Sequence, residues 1–412
     1  MARKLPAQPE VNIGLVGHVD HGKTTLTKAL SGVWTDTHSE ERKRGISIKL
    51  GYADTAFYKT KEGVYYPLGQ RPDGGKDVDS ELQRVVSFVD APGHETLMAI
   101  MITGASIMDG ALLMVAANES CPQPQTREHL MALEIAGIEN VVIVQNKIDI
   151  VTKERALENY NEIKEFTKGT IAENAPIIPV SAHHDVNLDI LIEAIQETIP
   201  TPDSTKHTRS IMHVARSFDI NRPGTRPGKL RGGVIGGSIT EGTFSVGDII
   251  EIGPGKKVGK GNKERWEPIE AEIATIQGGG LSLETAHSGG LCGVATKLDP
   301  AVTTADNLSG QIVAKKGGLP EIRTSIDIDV HLMHSMTNQE TGESERIHRL
   351  RGNEMVMLNA STATSVGIVV EATKDNAKLN LRLPICADSG QRVSISRRFG
   401  ARWRLIGYGV IN

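Results

Sequence analysis

The sequence predicts an α/β domain with a largely parallel sheet, followed by two β-barrel domains. In the first half, apolar runs such as VVSFVD and VVIVQNK alternate with helical stretches at residues 125–136 and 153–168. This alternation is typical of βαβ units. In the second half the helical pattern disappears, and short β-rich segments recur between glycine-containing turns, which is typical of barrels or sandwiches.

Two changes of composition indicate the domain boundaries. The stretch TPDSTKHT, residues 201–208, supplies proline, serine and threonine between two more apolar regions and predicts a linker. Further on, AKKGGLPEIRTS places two glycines and a proline before the strand-like run IDIDVHLM. The predicted domains are therefore residues 1–206, with an insertion at about 58–82, then 207–323 and 324–412.

Composition restricts the class of protein. A formal net charge of -4 over 412 residues excludes a generally basic protein, although a local basic strip remains compatible with nucleic acid. The first ten residues contain no apolar core of signal-peptide length, and no later run is long and apolar enough for a membrane span. We therefore expect a cytoplasmic protein without a membrane partner.

The first helix is preceded by a phosphate-binding motif. GHVDHGKTT, residues 17–25, contains G-x-x-x-x-G-K-T between an apolar strand and a helical stretch. In such a motif backbone amides surround the phosphates, Lys23 neutralises their charge and the Thr24 hydroxyl ligates Mg²⁺. The alternative is a chance glycine-rich turn. The predicted nucleotide-binding residues here are Asp20, His21, Gly22, Lys23, Thr24 and Thr25.

Asp20 is unexpected in a phosphate cradle. A carboxylate beside phosphates is unfavourable unless a cation lies near it. Asp20 therefore marks a second cation position, or else it points to solvent or caps a local turn.

The next strand ends in DAPG, residues 90–93. In this position Asp90 can hold Mg²⁺ through water, and the Gly93 amide can lie beside the γ-phosphate. Between this strand and the phosphate motif, KRGISIKLG offers the hydroxyl of Ser47 as a Mg²⁺ ligand in a loop that closes on GTP. The alternatives are a turn aspartate and a surface loop that leads into an edge strand.

A later strand ends in NKID, residues 146–149, which predicts selectivity for guanine. Asp149 can accept two hydrogen bonds from the guanine ring, a donor pair that adenine lacks. Lys147 covers the base, and Asn146 connects the segment to the phosphate loop. In VSAH, Ser181 and the Ala182 amide complete the site. Singly, these residues are also ordinary turn, strand-end or helix-cap residues.

Together, GHVDHGKTT, RGIS, DAPGHE and NKID resemble the motifs of translational GTPases. From about residue 9 to the end, the chain resembles the gamma subunits of archaeal translation initiation factor 2. The segments LRGGVIGGSITEG and GQRVSISRRFGARW resemble the second and third domains of elongation-factor-like proteins. The resemblance implies an α/β P-loop GTPase domain followed by two β-barrel domains, and hydrolysis of GTP to GDP and phosphate as a molecular switch.

The resemblance also implies a biological role. It implies GTP/GDP and Mg²⁺ as cofactors, initiator methionyl-tRNA as cargo, the small ribosomal subunit as destination, and alpha and beta subunits as partners. His94, next to Gly93, would position the attacking water, behind an apolar gate of Val19 and Ile46. The aminoacyl group would lie near HSGGLCGVATKLDP. The alternatives are a selenocysteine-specific or other elongation-type factor, a GTPase that drives sulfate activation, and, for His94, a helix-start histidine.

Two departures from the family pattern stand out. Ser47 occupies a position where threonine is commoner, which keeps the oxygen but loses the methyl group that restricts its rotamer. The insertion at residues 58–82 contains no cysteine, whereas many relatives carry paired cysteines for zinc there. We therefore expect no zinc and a polar, partly mobile excursion.

Nucleic-acid binding has weak support from the residues alone. SRRFGARWR, residues 396–404, interleaves arginines with Phe399 and Trp403, and RPGTRPGKLR adds charge on a loop. The first stretch fits backbone contact and base stacking, and an edge strand with solvated arginines explains it almost as well; the second fits a solvated charge run equally well.

Overall fold

The chain divides into two units, residues 1–202 and 203–412. The structure is a computed structural model, and it describes residues 5–35, 50–70, 79–93, 98–203, 208–222, 224–259, 264–333, 335–337, 344–400 and 402–412.

One seven-stranded sheet forms the centre of the first unit. Its strands are β1 (Val11–Gly17), β2 (Gly51–Thr60), β3 (Tyr65–Pro67), β4 (Ser80–Asp90), β5 (Gly110–Ala116), β6 (Val141–Asn146) and β7 (Ile177–Pro179). Their order is β3-β2-β4-β1-β5-β6-β7. The five strands from β4 to β7 are parallel, whereas β2 and β3 pair antiparallel at one edge. The strands β1, β5 and β6 are buried along their whole length, as expected for a parallel sheet covered on both faces.

In the part of this unit that the structure describes, five helices accompany the sheet: α1 (Lys23–Ser31), α2 (Met98–Ala105), α3 (Pro124–Ala136), α4 (Lys153–Thr167) and α5 (Leu188–Thr198). Their ends follow local chemistry. Helix α1 lies between Gly22 and Gly32, both in the left-handed region, and α3 begins with a proline at its first position. The Thr152 side chain caps α4 by accepting a bond from the Arg155 amide at 3.3 Å. The helices predicted near residues 125–136 and 153–168 are confirmed.

The core of this unit lies between β1, β5, β6 and the helices α1 and α5. Its fully buried members include Ile13, Leu15, Leu26, Leu30, Phe88, Leu112, Val142, Leu191 and Ile195. This packing holds the carboxyl ends of the central strands, where the sequence motifs lie, on a rigid frame.

In the described part of the insertion at residues 58–82, the structure adds strand pairing that the sequence did not predict, and the polar, partly mobile excursion stays a prediction. Residues 58–60 end β2, residues 65–67 form β3, and residues 80–82 begin β4. The rings of Tyr58 and Tyr66 stack with centroids 5.6 Å apart, and the Tyr66 hydroxyl donates to Ser80 Oγ at 2.6 Å. The stacked tyrosines therefore give this edge of the sheet an apolar face, although the segment as a whole is polar.

The second unit begins with a closed six-stranded barrel. Its strands are β8 (Ile211–Phe218), β9 (Val234–Glu241), β11 (Ile249–Val258), β12 (Arg265–Gly278), β15 (Leu291–Thr296) and β16 (Ile312–Lys315). They run in the order β11-β16-β8-β9-β15-β12, and β12 pairs with β11 to close the ring. The accessory strands are β10 (Thr243–Ser245), β13 (Leu281–Leu283) and β14 (Thr285–His287), and a one-turn helix, α6 (Pro300–Thr303), follows β15.

A second closed barrel completes the unit. Its strands are β17 (Ile322–Leu332), β20 (Met355–Ala360), β21 (Ala363–Ala372), β22 (Asn376–Cys386), β23 (Arg392–Phe399) and β24 (Arg402–Ile411), in the order β17-β22-β21-β20-β23-β24. Two further short strands, β18 (Ser335–Thr337) and β19 (Ser344–Arg346), pair antiparallel in a separate two-stranded sheet. The predicted fold of an α/β domain followed by two barrels is confirmed. None of the helices that the structure describes has the length and apolarity needed to cross a membrane.

Candidate nucleotide-binding site

The phosphate loop joins β1 to α1 through backbone conformations that favour glycine. Gly17 and Gly22 have φ of 140° and 91°, and Asp20 has φ of 62°. A Cβ at Gly22 would lie 2.3 Å from Asn146 Nδ2, and one at Gly17 would lie 2.5 Å from the Met114 carbonyl oxygen. The loop therefore needs both glycines to pass between β5 and the end of β6.

Lys23 closes over this loop. Its Nζ donates to the carbonyl oxygens of Gly17 at 2.9 Å and His18 at 2.7 Å. The Gly93 backbone lies next to it, since a Cβ at Gly93 would be 2.5 Å from Lys23 Nζ. Gly22 at the N-cap supplies no side-chain hydrogen bond to α1, and the positive end of the helix dipole faces the loop. The DAPG segment and the phosphate loop thus meet around one ammonium group.

Asp90, at the end of β4, accepts hydrogen bonds from two hydroxyl groups. It is 1% exposed, and its Oδ2 accepts from Thr24 Oγ1 at 2.7 Å and from Thr35 Oγ1 at 2.6 Å. The predicted pair of Thr24 and Asp90 is therefore brought together. Thr35 was missed from the sequence, because a lone threonine fifty-five residues before Asp90 forms no recognisable pattern.

Asn146 connects the segments predicted to bind the base to the predicted phosphate loop. It is 3% exposed, its Nδ2 donates to the His21 carbonyl oxygen at 2.9 Å, and its Oδ1 accepts from the Ala182 amide at 3.1 Å. Lys147 follows in the left-handed region with φ of 63°, which turns the chain away from β6. Three separate segments are thereby fixed relative to one another.

Asp149 has the electrostatics of an ionised acceptor. A hydrogen bond from Ser181 is the main reason that the pKa of the Asp149 carboxyl is lowered. The carboxyl group is 24% exposed, and His184 Nε2 lies 3.7 Å from it. Ser181 itself is fully buried and its Oγ accepts from the His184 amide at 3.3 Å. An ionised, partly exposed carboxylate can accept both donors of a guanine ring.

Two buried histidines lie beneath the loop. His21 is 1% exposed, and its ring nitrogens lie 2.8 Å from the Met114 carbonyl oxygen and 3.4 Å from Glu119 Oε2. Burial lowers the pKa of His21 to about 3, so the ring is neutral at working pH. His129 Nδ1 accepts from the Gly17 amide at 2.8 Å. His129 was also missed from the sequence.

The remaining predicted residues have different outcomes. Asp20 is exposed and Thr25 is partly buried at the start of α1. His94, Ser47 and Ile46 lie outside the described residues, so water positioning by His94, its apolar gate and Mg²⁺ ligation by Ser47 stay predictions. The absence of zinc also stays a prediction.

The arginine strip of residues 396–404 lies on the paired strands β23 and β24. Arg397 is only 15% exposed, and its Nε donates to Glu354 Oε1 at 2.5 Å. It also donates to the carbonyl oxygens of His348 and Arg349. Arg397 therefore ties β23 to the segment that precedes β20, and these contacts occupy its guanidinium group, so it is not available as a phosphate ligand.

The first barrel carries a cavity of about 840 Å³ on its outer surface. Phe218, Ile220 and Leu230 supply apolar walls that are 41–47% exposed. The floor comes from alternate residues of β15, among them Gly293 and Ala295, because side chains on one face of a strand alternate. The cavity is therefore lined by part of the segment HSGGLCGVATKLDP, residues 287–300.

Comparisons with known proteins agree over the whole chain. Residues 8–201 match the family model "Elongation factor Tu GTP binding domain", and residues 324–411 match "Initiation factor eIF2 gamma, C terminal". The chain is 56% identical over 409 residues to translation initiation factor 2 subunit gamma of Methanococcus maripaludis, with 98% of each chain covered. It is 57% identical over 413 residues to the same subunit of Methanocaldococcus jannaschii, with 100% of each covered.

Solved structures show the same fold. The chain superposes on a bacterial selenocysteine-specific elongation factor, EF-Sec, with a TM-score of 0.74 at 22% identity, covering 98% of this chain and 58% of that one. It superposes on elongation factor SelB of Methanococcus maripaludis, in complex with a GTP analogue, with a TM-score of 0.70 at 22% identity, covering 99% and 80%. At this identity the likeness concerns the fold.

Proposed function

The chain belongs to the family of translation initiation factor 2 gamma subunits, and we propose that it carries initiator methionyl-tRNA to the small ribosomal subunit in its GTP-bound state. It is a translational GTPase with a GTP-binding domain at residues 8–201. The observation that carries the proposal is similarity at 56–57% identity over essentially the full length of relatives with this one name. Hydrolysis of GTP would gate release of the tRNA.

The alternatives are less favoured. A selenocysteine-specific or other elongation-type factor would share the GTP-binding domain, but the second barrel matches the C-terminal domain of the initiation factor. The solved selenocysteine factors are only 22% identical to this chain. A GTPase for sulfate activation is less favoured for the same reason, since the second barrel matches the C-terminal domain of the initiation factor.

For the nucleotide, the geometry supports a division of roles. Loop amides and Lys23 would bind the phosphates, and Asp149 would accept from guanine while Lys147 covers the base. Asn146 would hold the phosphate subsite and the base subsite in a fixed relative position through its bonds to His21 and Ala182. His94 and Gly93 would orient the attacking water, because positioning is most of what the protein contributes to phosphoryl transfer.

The oxygen donors at Asp90 fit Mg²⁺, which prefers hydroxyl, carboxylate and water ligands. The support is the convergence of Thr24 Oγ1 on Asp90 Oδ2 at 2.7 Å, at the start of α1. We infer that Thr24 and Ser47 would ligate the ion and that Asp90 would hold it through water. When bound, the ion neutralises charge on the phosphate oxygens. Asp20, which is exposed at the loop, would mark a second cation position.

The cavity of the first barrel would receive the aminoacyl end of the tRNA. Its support is the position of Gly293 and residues 295–300 in its lining and its apolar walls, which suit a methionine side chain or a base. The name "subunit gamma" that the relatives carry supports assembly with alpha and beta subunits of the same factor. Co-expression of the three chains, followed by size-exclusion chromatography, tests the assembly. Elution of this chain alone would contradict it.

A competition experiment tests the cargo. The full chain, loaded with a non-hydrolysable GTP analogue or with GDP, is incubated with labelled initiator methionyl-tRNA and unlabelled charged elongator tRNAs, and complexes are collected on filters. We expect the labelled initiator tRNA to be retained only with the GTP analogue. Unlabelled initiator tRNA should displace it, whereas unlabelled elongator tRNAs should not. Equal or better competition by elongator tRNAs would contradict the proposal.

The variant Gly293→Leu tests the cavity. Gly293 has ordinary backbone angles, and an added Cβ would meet only the Gln277 carbonyl oxygen at 4.0 Å, so leucine would fill the cavity without backbone strain. We expect tRNA binding to fall while GDP binding stays unchanged. Gly352→Leu, at an open position of the second barrel, is the matched control. Equal tRNA binding by both variants would place the aminoacyl end elsewhere.

A further inference from the structure

We infer that His129 is a positioning residue for the phosphate loop, whose neutral imidazole fixes the Gly17 amide where β1 enters the loop. The inference rests on GTP binding by the first unit and does not depend on the identity of the tRNA.

The geometry at Gly17 restrains the peptide groups on both of its sides. Its N–H donates to His129 Nδ1 at 2.8 Å, across a separation of 112 residues, and its carbonyl oxygen accepts from Lys23 Nζ at 2.9 Å. Position 17 has no room for a side chain, because a Cβ there would lie 2.5 Å from the Met114 carbonyl oxygen. The direction in which the chain leaves the strand is therefore set by the two hydrogen bonds.

The other end of the loop is held by different residues. The His21 ring lies 2.8 Å from the Met114 carbonyl oxygen, and Asn146 Nδ2 donates to the His21 carbonyl oxygen at 2.9 Å. His129 supplies the corresponding restraint at the entry. A loop held at both ends keeps its amides oriented for an anion before the anion arrives, which lowers the cost of binding.

His129 can act in this way only while it is uncharged, since an imidazolium has no free acceptor. The ring is fully buried, and burial lowers the pKa of His129 well below its ordinary value. The nearby ammonium group of Lys23 acts in the same direction. The proton of the neutral ring consequently resides on Nε2.

A merely structural role explains this arrangement less well. Among the residues that the structure describes, Nε2 of His129 is buried without a hydrogen-bond partner. The ring thus satisfies one buried backbone donor and leaves a donor of its own unsatisfied, so the exchange brings little net stability. What the imidazole does supply is an acceptor with a fixed direction at the first residue of the loop.

Three variants test the inference. His129→Leu removes the acceptor, whereas His129→Asn places its Oδ1 close to the position of Nδ1. His213→Leu is the matched control, because His213 is a buried histidine of the first barrel whose pKa burial lowers to about 4. Each full-length variant is titrated with a fluorescent GDP analogue, and its nucleotide-free form is unfolded in urea.

We expect His129→Leu to raise the Kd for GDP at least about tenfold, the equivalent of one hydrogen bond. His129→Asn should stay within about fivefold of wild type, and His213→Leu should lose stability without a change in Kd. In protein labelled with ¹⁵N-glycine, the Gly17 amide should exchange slowly in wild type and His129→Asn and faster in His129→Leu.

Two results would overturn the inference. One is a Kd for His129→Leu within about twofold of wild type, and the other is a loss in His129→Asn as large as that in His129→Leu. If His129→Leu does not fold, His129→Asn decides by itself, since a loss beyond about fivefold at native stability contradicts the acceptor role. GDP binding involves no tRNA, so either failure leaves the proposed cargo unaffected.

Discussion

Replacing Asn146 with alanine should weaken nucleotide binding more than it weakens the fold. The side chain is 3% exposed and makes two bonds to backbone groups, at 2.9 Å to the His21 carbonyl oxygen and at 3.1 Å from the Ala182 amide. The variant leaves both groups without this partner. Each buried group that loses its hydrogen bond costs about 1–3 kcal/mol.

The magnitude follows from these two bonds. Their combined loss amounts to about 2–6 kcal/mol, and entry of water beside the partly exposed Asp149 favours the lower end. Without the bridge the loop and the base-binding segment fluctuate independently, and GDP must restore their alignment when it binds. If about 2 kcal/mol of this cost reduces the free energy of GDP binding, the Kd for GDP rises about thirtyfold.

The assay is an equilibrium titration of nucleotide-free protein with a fluorescent GDP analogue, paired with urea unfolding of each variant. Asn146→Asp separates the two bonds, because it keeps the acceptor for Ala182 and removes the donor for His21. Asn359→Ala is the control: Asn359 is 2% exposed in the second barrel and donates to Thr364 Oγ1 at 2.7 Å. A change in Kd below about threefold for Asn146→Ala would refute the reasoning.

Three further predictions concern the base, the water and the pH dependence of stability. Asp149→Asn should shift preference from guanine toward xanthine nucleotides, since the amide reverses one donor–acceptor pair; unchanged selectivity in a competition assay would remove Asp149 from the base site. His94→Ala should retain GTP binding and slow hydrolysis, and an unaltered single-turnover rate would contradict its role. Burial raises the pKa of Asp109 from 3.8 to about 6, so the fold favours its protonated form and stability should fall by about 1–3 kcal/mol as pH rises from about 4 to 6. Asp109→Asn keeps a neutral acceptor for the Asn12 amide, which donates to Asp109 at 2.7 Å. In urea unfolding this variant should not show the fall in stability. An equal fall in the variant would exclude Asp109 as its origin.

The fold and the meeting of the main motifs were predictable because the motifs lie at strand ends. The phosphate loop, DAPG and NKID follow β1, β4 and β6, which are parallel, so their carboxyl ends share one edge of the sheet. A local sequence pattern is sufficient for that inference. It requires only that each apolar run be a strand and that the strands be parallel.

The strand pairing within the insertion at residues 58–82 was not predicted, for a physical reason. The polar composition indicates an excursion, but Tyr58 and Tyr66 lie opposite each other in the register of β2 and β3 and stack. A cross-strand pair is a property of two segments brought into register. Composition averaged along one segment cannot express it.

Thr35 and His129 mark the boundary of what local patterns can predict. Their partners are 55 and 112 residues away, and each residue has an ordinary local interpretation, as a loop threonine and as a helix histidine. Their roles arise only where α3 passes beneath the end of β1 and where the chain after α1 returns to Asp90. The residues that we propose to bind the nucleotide can be predicted because short motifs carry their chemistry, whereas the residues that hold those motifs in place depend on the fold.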